Sequence, residues 1–103
     1  MRRTFTRATL KSLREMPSED ALALLAIYCK ADPTYVPVKD LRSRRWHART
    51  PRGEFELLTT GQKWWDTRAE KGGGGAIDLA MHLLQLPFVD AVKLLIDREH
   101  PRG

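Results

Sequence analysis

A single cysteine, Cys29, stands in 103 residues, so no intrachain disulfide can form and no Cys-Xaa-Xaa-Cys pair is present to hold zinc. No apolar run approaches the roughly 18 residues of a membrane span. The opening MRRTFTRATLKSLREM lacks the apolar centre of a secretory signal, and a cytoplasmic protein is the expectation. Histidines are scarce and fit no metal spacing: His47 lies among arginines, His82 in a helical segment and His100 near the end. Asp66, Glu70 and Asp78 are acidic residues that could gather round magnesium. Asp78, however, falls in a first helical turn, where the helix dipole favours a carboxylate. No nucleophile and base stand in a recognisable arrangement, so the expectation is a protein without catalysis, cofactor or metal.

What is plentiful is positive charge. The formal balance is +5, which favours an anionic partner. Its distribution says more than its total. Lys39, Arg42, Arg44, Arg45, Arg49, Arg52, Lys63, Arg68 and Lys71 crowd the middle of the chain, against Asp40, Glu54, Glu56, Asp66 and Glu70. From Gly72 onward Asp78, Asp90, Asp97 and Glu99 outnumber Lys93, Arg98 and Arg102.

Two helices are predicted before the basic region. Thr6 to Met16 is weakly amphipathic, with Ala8, Leu10 and Leu13 inward. Pro17-Ser18 then restarts the chain, Ser18 being a candidate N-cap followed by Glu19 and Asp20. This second helix is predicted through about Tyr28, with Leu22, Leu25, Ala26 and Cys29 on one stripe. Asp32-Pro33 ends it. Extended segments follow at Tyr35 to Val38, Arg44 to Arg49, Glu54 to Thr59 and Gln62 to Asp66. Pro51-Arg52-Gly53 and Thr60-Gly61 are turn signals that make the last three an antiparallel meander.

After the glycine run Gly72 to Gly75, Ile77, Ala80, Met81 and Leu84 repeat at helical spacing. Phe88, Ala91, Val92 and Leu95 do so again after Pro87, and His100-Pro101 closes the chain. The expected architecture is α+β: a small antiparallel sheet of three to four strands, with N-terminal helices and a C-terminal helical hairpin. It is one domain, divided as helices over 1–33, sheet over 34–71, and glycine-rich turn with hairpin over 72–103.

Two features could bind. The glycine run could offer backbone N–H groups to a phosphate at the start of the following helix, or it could be a close-packed connector; it has neither a P-loop ending nor a dinucleotide fingerprint. The basic residues, interleaved with Trp46, Trp64 and Trp65, could form a surface that neutralises phosphates and stacks on unpaired bases. Alternatively the arginines are a solvated face and two of the tryptophans are core. Successive strand residues point to opposite sides, so one of Trp64 and Trp65 enters the core and its neighbour does not.

The order of hairpin, aromatic strand, glycine-rich turn, Ala76-Ile77-Asp78-Leu79 and then Leu86-Pro87-Phe88-Val89-Asp90-Ala91-Val92 resembles the amino-terminal zinc-binding domain of bacterial DnaG-type primases, over roughly Leu41 to Leu95. The positions of that family's metal ligands fall near Thr50, Gly53, Thr67 and Glu70, so the chain looks like a metal-free variant, as in primase-like and toprim-associated proteins of plasmids, phages and other mobile elements. A core of Trp64 or Trp65, Phe55, Leu57, Ile77 and Phe88 would then supply the stability that zinc supplies elsewhere. The resemblance implies a non-catalytic module for DNA replication that binds single-stranded DNA or a primer–template junction. The residues expected to do so are Arg42, Arg44, Arg45, Trp46, Arg49, Arg52, Lys63, Trp64, Trp65, Arg68 and Lys71. A rival expectation is a protein-interaction module whose N-terminal helices recruit a primase, polymerase or helicase subunit.

Overall fold

The computed structural model describes residues 5–99; His100 and Pro101 lie outside them. Two helices, α1 (Arg7–Glu15) and α2 (Ser18–Leu25), precede five strands: β1 (Tyr28–Ala31), β2 (Arg44–Thr50), β3 (Gly53–Thr60), β4 (Lys63–Asp66) and β5 (Lys71–Gly74). Helices α3 (Ala76–Leu84) and α4 (Phe88–Glu99) follow. The strands form one antiparallel sheet in the order β1-β2-β3-β4-β5. The fold is thus α+β, with two N-terminal helices, a five-stranded antiparallel sheet and a C-terminal helix pair.

The β2–β3–β4 meander stands where the turn residues put it. Gly53 (φ 131°) and Gly61 (φ 60°) supply the positive backbone angles of its two turns. The two outer strands differ from expectation. Helix α2 stops at Leu25, and Ala26 is already extended (φ −82°, ψ 146°), so Cys29 lies on β1 rather than on a helical stripe. Tyr35 to Val38 is an irregular loop instead of a strand. The glycine run, expected as a turn, is β5 through Gly74, and the sheet therefore extends from Tyr28 to Gly74. Only Gly75 (φ 88°) serves as the connector into α3.

Glycine is required in β5 for want of space. A Cβ on Gly73 would stand 1.8 Å from Asp78 Oδ2 and 2.9 Å from Trp64 Cζ2. One on Gly72 would stand 2.6 Å from Trp65 Cε3. Neighbouring side chains fill the volume the glycines leave, which offsets the usual weakness of glycine in a strand.

All the helices pack on one side of the sheet. The strand residues facing them are Trp46, Ala48 and Thr50 of β2, Phe55, Leu57 and Thr59 of β3, and Trp64 and Asp66 of β4. They meet Leu13, Ala21, Leu22 and Leu25 from the N-terminal helices and Ile77, Leu79, Ala80, Leu83, Ala91, Val92 and Leu95 from the C-terminal pair. Ala8 and Phe88, expected inside, are exposed. The C-terminal helices bend by 109° at their junction, an elbow more than an antiparallel hairpin. Gln85 makes the elbow in a left-handed conformation (φ 55°, ψ 45°), and its side-chain amide donates to the His82 carbonyl at 2.8 Å, satisfying part of the helix end. No single helix among the described residues is long and apolar enough to cross a membrane.

Helix α1 begins at an N-cap of the preferred kind: the Thr6 hydroxyl accepts the Thr9 N–H at 3.0 Å. Thr6→Ala should lower the unfolding free energy by about 1 kcal/mol, read as a lower urea midpoint at unchanged slope.

Candidate nucleic-acid interface

Because the helices cover one side, the alternation along the strands turns a second set of side chains outward. On β2 these are Arg45, His47 and Arg49; on β3 Glu54, Glu56, Leu58 and Thr60; on β4 Lys63 and Trp65. The register aligns them into rows: Arg45 opposite Leu58 and Leu58 opposite Trp65, His47 opposite Glu56, Arg49 opposite Glu54, and Thr60 opposite Lys63. Strand β1 adds Tyr28 opposite Arg49 and Lys30 opposite His47. Neither was singled out in the sequence, because the segment read as the end of a helix.

The tryptophans separate as alternation requires. Trp65 is 44% exposed on the outer face, whereas Trp64 is 3% exposed in the core. Trp64 stacks on the His82 ring with centroids 4.8 Å apart and planes at 27°. Trp46 also faces the helices, its Nε1–H donating to Thr59 Oγ1 at 2.9 Å. Trp64 is therefore structural, Trp46 is half-buried at the edge of a cavity it shares with Lys30 and Arg45, and Trp65 is the most exposed of the three. The parity that turns Arg45 and Arg49 outward necessarily turns Trp46 inward.

The basic residues divide too. Arg45, Arg49 and Lys63 project from the outer face, and Arg68 reaches back over it from the β4–β5 turn. Arg42 is held away, its guanidinium on the Asp40 carboxylate at 2.9 Å. Arg44 points to the helix side, 3.8 Å from Glu19 of α2. Arg52 sits in the β2–β3 turn, and Lys71, paired in register with Asp66, lies on the helix side of the sheet edge.

Two carboxylates temper the outer face. Glu56 accepts from Arg45 and, at 3.1 Å, from Arg68; these hydrogen bonds hold its carboxyl below the usual range, despite some loss of solvation. Glu54 lies 2.7 Å from His47 Nε2. The side chains of Arg49 and Lys30 make no hydrogen bond or ion pair among the described residues. At the end of the sheet, hydrogen bonds from the Arg42 side chain and backbone bring the Asp40 carboxyl to about 2.

Comparison with known proteins adds one relative. A "65 kDa protein" of Zymomonas mobilis subsp. mobilis is 33% identical over 95 residues. The match takes in 92% of this chain but spans only 14% of that protein's length. No family model matches the chain, and no solved structure matches it.

Beneath the sheet, opposite the arginines, Asp66 and His82 join β4 to α3. His82 Nε2 lies 2.7 Å from Asp66 Oδ2, and Asp66 Oδ1 accepts the backbone N–H groups of Arg68 and Ala69, each at 3.0 Å. Against an ionised carboxylate, Nε2 carries the proton. Burial pushes the Asp66 carboxyl up, but the Ala69 N–H, the His82 ring and the Arg68 N–H together outweigh it and leave the value lowered. Phe55 meets the same imidazole edge-on at 6.0 Å. This pair was not visible in the sequence, its members being sixteen positions apart on different elements.

The residues that the resemblance sets at zinc-ligand positions offer no zinc-binding side chains of the expected kind. Thr50 donates to the Leu83 carbonyl at 3.4 Å and Thr67 to the Glu56 carbonyl at 3.1 Å. Gly53 brings no side chain, and Glu70 is an exposed turn residue at φ 54°. The magnesium set considered above does not assemble either, since Asp66 is committed to His82 and Asp78 Oδ2 accepts the Gly74 N–H at 3.1 Å. Among the described residues no three His, Cys, Asp or Glu side chains gather as metal ligands. At the start of α3 the Arg14 backbone lies 3.5 Å from where a Gly75 Cβ would stand, and a cavity of about 790 Å³ opens there between Arg14, Lys63, Gly75 and Asp78.

Proposed function

We propose that this chain is a non-catalytic DNA-binding module, directed to single-stranded DNA or a primer–template junction, of a primase-like replication system on a mobile element. The observation that carries the reading is the outer sheet face, where Arg45, Lys63 and Arg68 share one side of the sheet with the exposed ring of Trp65 and Arg49 lies further along β2. Such cations neutralise phosphates and release counterions. An exposed aromatic ring on a sheet stacks on an unpaired base. The resemblance running through the glycines, Ala76-Ile77-Asp78-Leu79 and Leu86-Pro87-Phe88 supports the replication setting. Primer synthesis itself would fall to another polypeptide or to a further part of a longer one.

Fluorescence anisotropy with labelled oligonucleotides tests this. Single strands should bind more tightly than the matching duplex, and log K should fall linearly with log salt at about 0.7 per neutralised phosphate. An affinity that ignored salt, or a clear preference for duplex, would sink the proposal.

A second reading has its own observation. Val36, Val38 and Leu41, on the loop between β1 and β2, are 76%, 91% and 88% exposed. Exposed apolar side chains on one loop suit docking to a primase, polymerase or helicase subunit. A stable complex with such a subunit, by a chain that binds no DNA, would favour this reading over the first.

A further inference from the structure

Trp65 does not stand upright on the sheet. Its six-membered ring covers Gly72: a Cβ there would stand 2.6 Å from Cε3 and 3.3 Å from Cζ3. One side of the ring thus lies against the β5 backbone, where the missing side chain makes room, and nearly half of the residue remains in solvent. Beside the ring is a cavity of about 570 Å³, walled by Leu58 and Thr60 of β3, Lys63 of β4 and the loop residues Lys39, Asp40 and Ser43. That volume falls within the roughly 300–1,000 Å³ of clefts that take small ligands.

Its chemistry is graded. Leu58, Trp65 and Gly72 make an apolar floor. The hydroxyls of Ser43 and Thr60 lie 2.6 Å apart at the wall. In that pair one hydroxyl donates to the other, which leaves one O–H and free lone pairs for a ligand. Lys39 and Lys63 add positive charge. The Asp40 carboxylate, ionised and engaged by Arg42, disfavours a phosphate within the cavity. A neutral, flat group with hydrogen-bonding edges suits the interior, and an anionic group attached to it suits the lysines.

We propose that this cleft is a subsite for one unpaired nucleobase, stacked on Trp65, its polar edge toward Ser43 and Thr60 and its phosphate toward Lys39 and Lys63. The subsite rests on the reading of the outer face as a single-strand surface and makes it more specific. A base within a duplex has neighbours on both faces and a paired edge, so it cannot lie down here. The preference for single strands then comes from this cleft, and the arginines supply affinity without distinguishing the two forms.

The experiment uses an oligothymidylate and an abasic strand of equal length and charge, with the wild-type chain, Trp65→Leu and Trp65→Phe, each checked by circular dichroism and thermal melting. The wild type should bind the intact strand about tenfold or more tightly than the abasic one. Trp65→Leu should lose that preference while keeping the salt slope, and Trp65→Phe should keep most of it. Equal wild-type binding of both strands would overturn the subsite and leave the electrostatic reading standing. So would a Trp65→Leu variant that still prefers bases. Failure of the wild type to bind any single strand would overturn both.

Discussion

Asp66→Ala should cost about 3–5 kcal/mol of unfolding free energy, a large part of the 5–15 kcal/mol that holds a typical domain. The substitution removes the acceptor shared by His82 Nε2 and the Arg68 and Ala69 N–H groups. The turn N–H groups adjoin exposed residues and can turn to water. The imidazole has little such access, its side chain being 10% exposed and packed against Trp64 and Phe55. Urea unfolding measures the loss, and a double-mutant cycle assigns it: Asp66→Ala with His82→Ala should cost clearly less than the sum of the single changes. Strict additivity would mean that the two side chains act independently.

The same carboxylate carries a pH signature. Its folded value lies below the ordinary one, so the unfolded chain takes up the proton first as pH falls. Its contribution is complete above the unfolded value of about 3.9 and is lost as pH drops through the folded value. The stability difference between wild type and Asp66→Asn should therefore narrow below about pH 4. Asparagine can still accept the turn N–H groups through its amide oxygen, but its NH2 then meets His82 Nε2, so the imidazole must present that nitrogen as an acceptor.

Which parts of this architecture are legible from residues alone follows from where each constraint originates. The meander, α3 and α4 are specified locally, by alternation between glycine-bearing turns and by apolar residues at helical spacing. Strand β1 is not, because Tyr28–Ala31 continues an Ala- and Leu-rich stretch with no turn residue to mark the change. Its partner β2, fifteen or more residues away along the chain, decides its conformation by offering an open edge. β5 is hidden for a similar reason. Glycine has little intrinsic preference for a strand, and only the rings of Trp64 and Trp65 and the Asp78 carboxylate, assembled around it, give the run its place. The candidate interface is legible by halves. Parity along β2 already sets Arg45 and Arg49 apart from Trp46, but whether Trp64 or Trp65 faces the helices depends on which side of the sheet they cover. The carboxylates that restrain the arginines lie across the register on β3, where no local pattern announces them.

Glu56 gives the interface a test in which two changes of opposite sign should move binding in opposite directions. Arg45→Ala with Arg49→Ala removes two cations from the outer face. At about 0.7 per lost phosphate contact, the salt slope should fall by about 1.4, and single-strand affinity should drop roughly 60-fold near 50 mM monovalent salt and roughly tenfold near 200 mM. Glu56 now holds Arg45 and Arg68 with the kind of charged oxygen that a phosphate would present. Strand binding must displace it or tolerate its charge, and Glu56→Gln relieves that competition. This variant should bind about eightfold more tightly near 50 mM salt, the worth of one further contact. Asp20→Asn makes an equal change of net charge on α2, on the helix side of the sheet, and should gain much less at the same ionic strength. If Glu56→Gln and Asp20→Asn gain alike, only net charge matters and the outer face has no privileged role. A loss of affinity in Glu56→Gln would instead mean that the carboxylate holds the arginines in their binding posture, and the idea of a competing anion would have to be given up.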